Sequence, residues 1–137
     1  MNVHVDDDDV IALLQGKLRK HPHVRYEASP SHITILPLDA TGFGVEVILQ
    51  PHWYSVRCDG WYGAFANATD AVAFVELALS ESARLEVWIR GETAYRWTFQ
   101  KRQGRGWEPV SGRRSIWAPF WRRRRILYLQ NRLLEAA

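Results

Sequence analysis

Apolar positions in this chain follow two different periods. From Asp8 to Lys20, Val10, Leu13, Leu14 and Leu18 recur at helical spacing and form one stripe. Asp6 to Asp9 open this segment and Lys17, Arg19 and Lys20 close it, which suits the helix dipole. Pro22, between His21 and His23, ends it because proline cannot extend the hydrogen-bond ladder. A period of two then predicts strands over His32 to Leu38, Phe43 to Gln50 and Trp53 to Cys58. In the second, Phe43, Val45, Val47 and Leu49 share a face, and Asp59-Gly60 ends the third. Helical spacing returns from Ala68 to Ser82, where Val72, Phe74, Val75 and Leu79 make a wide apolar face and Asn67 or Thr69 can cap the start.

Strands resume over Arg84 to Arg90 and Thr93 to Lys101. Leu85, Val87 and Ile89 alternate on the first, and Tyr95, Trp97 and Phe99 on the second. A three-residue loop, Gly91 to Thr93, pairs Ile89 with Tyr95 and puts both sets on one buried face, with Glu86, Trp88 and Arg96 on the other. A turn at Gln103 to Gly106 leads to a short strand near Trp107 to Val110, which Ser111-Gly112 breaks. Pro119 to Leu134 reads either as a helix, with Phe120, Leu127 and Leu134 one heptad apart, or as a strand burying Ile126 to Leu129 from both sides. With no turn signal inside it, the helix is favoured. The expected fold is α+β: one domain over residues 1–137, a mostly antiparallel sheet, the order α-β-β-β-α-β-β-(β)-α, and helices packed on the sheet. In element order alone this resembles the small chaperone-like domains that escort secreted bacterial effectors, which are typically acidic where this chain is basic.

Composition adds two features. With 47% hydrophobic and 24% charged residues the chain is far from a disordered composition, but its seven tryptophans call for extensive packing or an interface. The net charge of +3 hides an asymmetry. Ten Lys or Arg fall within residues 101–137 against Glu108 and Glu135, so the remainder is net acidic. Such separation suits an anionic partner, or attraction between the two halves within one fold or between two copies. Whether Asp6 to Asp9 meet Arg122 to Arg125 is left open by the sequence. Cys58 has no partner for an internal disulfide, the N-terminus lacks the regions of a signal peptide, and no apolar run approaches the ~20 residues of a transmembrane span. These point to the cytoplasm.

Chemistry-bearing patterns are sparse. The four aspartates are contiguous and lack a glycine-turned calcium loop, and the five histidines lack ligand spacing and cysteine partners, so no metal or cofactor is expected. No nucleophile elbow, phosphate loop or dinucleotide fingerprint occurs, and no catalytic residue is assigned. The sharpest feature is Arg122, Arg123, Arg124 and Arg125, with Arg113, Arg114, Trp117, Phe120 and Trp121 nearby. The aromatic pairs Trp53-Tyr54 and Trp61-Tyr62 bracket the third strand, and Trp88 faces away from the Leu85 side. The expected function is a non-catalytic protein-interaction module, capable of self-association. Its partner-binding candidates are Trp53, Tyr54, Trp61 and Trp88 on the sheet, and Arg113, Arg114, Trp121 and Arg122 to Arg125 at the C-terminal end. The alternative is a nucleic-acid-binding protein using the C-terminal arginine cluster.

Overall fold

The computed structural model describes residues 6–115 and 117–134, the side chains of residues 6–9 excepted. Helix α1 spans Asp6–Leu18 and buries Val10, Ile11, Leu14 and Leu18. Five strands follow: β1 (Tyr26–Ser29), β2 (His32–Ile35), β3 (Val45–Leu49), β4 (Tyr54–Cys58) and β5 (Trp61–Phe65), an antiparallel meander in that order. Helix α2 (Ala68–Leu79) starts at Asn67, whose side chain accepts the Asp70 amide at 2.8 Å. The second sheet holds β6 (Ala83–Arg90), β7 (Thr93–Gln103), β8 (Gly106–Arg114) and β9 (Arg124–Leu129), arranged β8-β7-β6-β9 and antiparallel throughout. The chain is thus mostly antiparallel β with two short helices, roughly α+β. Among the described residues no helix is long and apolar enough to cross a membrane.

The expected order and the single helix-covered sheet do not hold. Five strands separate the helices, four follow the second, and they form two sheets. The likeness in element order to effector-escorting chaperone domains falls with that expectation. Trp61–Phe65, where no strand was expected after Asp59-Gly60, is a strand, because Asp59-Gly60 is a two-residue hairpin turn pairing Cys58 with Trp61. Asp59 takes the positive φ (55°) that this tight connection requires. Strand β8 runs through Ser111-Gly112 to Arg114, absorbing an irregularity where Phe99 pairs Ser111 and Gln100 pairs Pro109. The C-terminal segment is an edge strand, not a helix. Arg124–Leu129 finds the open side of β6 and pairs with it over six residues, a contact no local pattern announces.

The β6–β7 hairpin also differs in detail. Its connection is the two-residue turn Gly91-Glu92, with Gly91 at φ 62°, and Arg90 pairs with Thr93. A bulge then leaves Tyr95 unpaired, so that Trp88 faces Arg96, Val87 faces Trp97 and Leu85 faces Phe99. The bulge supplies the one-residue slip that the predicted longer loop would have supplied. Burial dictates the outcome, because without the slip every apolar residue of β7 beyond it would turn to solvent.

One hydrophobic core is shared by both sheets and both helices. Ile33, Ile35, Val45, Val47, Val56 and Cys58 fill it from the first sheet, and Ala83, Leu85, Val87 and Phe99 from the second. Phe74 of α2 sits at the junction. Its ring stacks on Trp61 at 5.0 Å and 16° and meets Phe99 at 4.6 Å and Phe65 at 5.0 Å. The Trp61 indole N–H donates to the Ser111 carbonyl and hydroxyl, tying β5 to β8. Beyond β9, Asn131 is buried at 2% exposure and closes the chain onto this core. Its amide oxygen accepts the Phe43 N–H, and its amide nitrogen donates to the Phe43 and Ala78 carbonyls.

Candidate functional site

Because the helices lie on the core side of β6 and β7, the other face of the second sheet has neither helix over it. Alternation fixes what that face carries. Along β6 it presents Arg84, Glu86, Trp88 and Arg90, all half-buried by their neighbours, while Leu85, Val87 and Ile89 point into the core. Register then places Arg96 and Gln100 of β7 beside Trp88 and Arg84, and Ile126 and Tyr128 of β9 on the other side.

These side chains form two transverse rows of alternating arginine and aromatic groups. In the first, Arg84 lies 4.4 Å from the Trp107 ring and 4.1 Å from the Tyr128 ring, and Arg102 lies 4.6 Å from Trp107. In the second, Arg96 and Arg124 each lie 4.4 Å from the Trp88 ring, reaching it from the strands on either side of β6. Each such contact contributes about 0.5 to 1 kcal/mol at an exposed position and holds the guanidinium upright. Glu86 stands between the rows. It accepts from the Trp88 indole at 2.9 Å, from the Gln100 amide at 3.5 Å and from the Tyr128 hydroxyl at 3.3 Å, while Arg84 donates to Gln100 at 2.6 Å. Among the described residues the ion pairs are Lys17–Glu76 and His32–Glu46, so no arginine of this face has its charge matched by a carboxylate within 4.0 Å.

The sequence candidates scatter across the molecule. Trp88 and Arg124 meet in the second row, and Arg114 lies on the same face opposite Arg96. Tyr54 and Trp61 are in the core, 7% and 2% exposed, because alternation along β4 and β5 turns them inward. Trp53 is exposed in the turn before β4, on the other sheet. Arg113 projects to the opposite side of β8 from Arg114 and stacks near Tyr62 at 4.7 Å. Arg122 and Arg123 precede β9, and Arg125 alternates to the side opposite Arg124. Trp121 belongs to the loop before β9, where it meets Trp117 and Phe120 edge to face. The question of Asp6 to Asp9 against Arg122 to Arg125 rests on aspartate side chains outside the described residues. Sequence reasoning did not single out Arg84, Arg102, Trp107 or Tyr128; the alternation Arg84-Glu86-Trp88-Arg90 was the signal for that face.

Other groups offer little chemistry. Cys58 is fully buried, and burial, with the Asp59 carboxylate next to it, pushes its thiol well above the usual range, which leaves it no thiolate character. Among the described residues no three His, Cys, Asp or Glu side chains converge as metal ligands. A recess of about 380 Å³ beside Asn131 is lined by Asp39, Thr41, Tyr128 and Arg132. There the Thr41 hydroxyl and amide donate to Asp39 and, with Arg132 beyond, hold its carboxyl below the ordinary value. Compared with known family models, curated proteins and solved structures, the chain matches none.

Proposed function

We propose that this protein is a non-catalytic binding module that docks an acidic protein partner on the arginine–aromatic face of its second sheet. One observation carries the reading: Trp88, tied to Glu86 and flanked by Arg96 and Arg124, stands on a sheet face that neither helix covers. Trp, Tyr and Arg are the residues that dominate the energy of protein interfaces, and mutual contact holds these at little further entropic cost. The same geometry favours protein over nucleic acid. Base stacking needs a free ring face, and arginines approach Trp88 from both sides. A single buried cysteine supports a reducing, cytoplasmic setting.

The test compares poly-L-glutamate with a single-stranded oligonucleotide of equal charge, beside light scattering. Polyglutamate is expected to bind at least as tightly as the oligonucleotide, and the double variant Arg96→Ala, Arg124→Ala to bind it at least tenfold more weakly. If the oligonucleotide binds far more tightly, the reading passes to nucleic acid. Six arginines on the face (Arg84, Arg90, Arg96, Arg102, Arg114, Arg124) would then give a log–log salt slope of about −4. A dimer mass abolished by the same double variant would make the partner a second copy.

A further inference from the structure

Between β8 and β9 the chain crosses the end of the β6–β7 hairpin and raises three large aromatic side chains into solvent. Trp117 is 59% exposed, Phe120 79% and Trp121 64%. They contact one another edge to face, Trp117 with Trp121 at 6.3 Å and Phe120 with Trp121 at 5.3 Å. Their support is ordered. The Arg122 N–H closes a turn on the Pro119 carbonyl at 2.8 Å, and Pro119 is buried. Arg90 reaches from the end of β6 to donate to the carbonyls of Arg122 at 3.0 Å and Phe120 at 3.5 Å. The rings therefore form an exposed tip on an ordered backbone support.

A basic collar surrounds it. Arg122 and Arg123 follow the tip directly, and Arg90, Arg96 and Arg114 line the recess on the Phe120 side. Glu92, in the neighbouring turn, is the carboxylate that lines the adjoining recess with Trp117 and Trp121. Five cations thus face one anion. Three aromatics exposed together suit a partner that yields around them, and the cations at their base favour a negative one. Trp and Phe beside arginine have this preference for the boundary between lipid headgroups and acyl chains, where the ring is buried and the indole N–H stays wet.

From this geometry we propose that the Trp117–Phe120–Trp121 tip inserts into the headgroup boundary of an anionic lipid bilayer, with Arg122 and Arg123 on the anionic headgroups. The tip adjoins the second outer-face row, since Phe120 shares a recess with Trp88, Arg90, Arg96 and Arg114, but its three rings belong to neither row, so the inference rests on a different observation from the protein-docking reading. It makes the chain peripheral to a membrane, with the sheet face free for its partner.

The experiment is cosedimentation of the intact protein with vesicles of phosphatidylcholine alone, or with about 30% phosphatidylserine. Tryptophan quenching by brominated acyl chains is read in parallel, since it reports insertion and not surface attraction. The wild-type protein is expected to bind the anionic vesicles and to be quenched. Trp117→Ala, Phe120→Ala and Trp121→Ala together should lower partition at least tenfold and remove the quenching, with circular dichroism unchanged because the rings are exposed. Arg122→Ala with Arg123→Ala should lower partition about fivefold per arginine near the surface. Arg84→Ala with Arg102→Ala, in the row that lines neither recess beside the tip, should leave quenching intact, which separates this site from the outer face. The proposal is overturned if anionic vesicles fail to bind or quench the wild-type protein. It is equally overturned if the aromatic variant binds normally, or if the tip proves to be a dimer contact whose loss halves the mass.

Discussion

Replacing Asn131 by alanine removes one side chain that joins three parts of the fold. Its amide makes three hydrogen bonds, of 3.0, 3.0 and 3.1 Å, to Phe43 N–H, Phe43 C=O and Ala78 C=O. With Asn131 only 2% exposed, the freed groups are shielded from bulk water. At about 1 kcal/mol of net stabilisation per bond, the loss comes to about 3 kcal/mol, or about 10 °C in Tm for a chain of this size. Asn131→Asp should cost more, because it turns a carboxylate oxygen towards two carbonyls that need a donor. Urea unfolding gives the free energies. Native-state hydrogen exchange gives the location, since β9 ends two residues before Asn131 and its amides should lose protection first. A loss below about 1 kcal/mol for alanine, with aspartate equally tolerated, would refute the claim that this amide latches the C-terminal segment.

Two further predictions concern the core and its turns. A Cβ at Gly60 would collide with the Trp97 ring, whose indole donates to Asp59 at 3.0 Å, so Gly60→Ala must displace that ring. The expected loss is about 2 kcal/mol with an altered near-ultraviolet dichroism spectrum. Gly91→Ala, strained by its φ of 62° but 3.2 Å from the nearest side-chain atom, should cost nearer 1 kcal/mol and leave that spectrum unchanged. Cys58, fully buried with its thiol pushed up by desolvation, should react with a thiol reagent only through opening of the fold. Its labelling rate should therefore rise with denaturant, and labelling in native buffer as fast as a free thiol would contradict its placement.

Where the fold is locally encoded, the sequence pattern led to it. Both helices follow from apolar spacing, and β2 to β4 from alternation and flanking turn residues. Strand β5 was missed because Gly63 and Ala64 interrupt any apolar alternation, although Asp59-Gly60 between two short runs is a strong hairpin signal. The core face of β6 and β7 was legible where Val87 lies opposite Trp97 and Leu85 opposite Phe99. Tyr95, expected beside them, is turned by the bulge to the outer face against Trp88 and Arg90, and the means of reaching that register was not legible. A bulge and a longer loop satisfy burial equally well. Gly91 at positive φ is what selects the shorter turn. Of the outer face, Trp88 and Arg124 were legible as separate residues. Their meeting was hidden, because it depends on β9 pairing with β6 across more than thirty residues of sequence.

That pairing changes what the arginine run can do. On a helix, Arg122 to Arg125 would spread around the circumference and act as a diffuse field. As the entry to an edge strand they divide in space. Arg124 turns to the outer face and stacks on Trp88, whereas Arg125 turns to the opposite side, across from Ile89. Arg122 packs along Gly91 and offers its carbonyl to Arg90, so it belongs to the aromatic tip. Four adjacent residues of one type therefore have at least two separable roles, and composition cannot distinguish them. The division also accounts for how an exposed edge carrying Ile126, Leu127 and Tyr128 is managed. Arginines at its start oppose the approach of an identical edge in parallel register, while leaving it compatible with an acidic one.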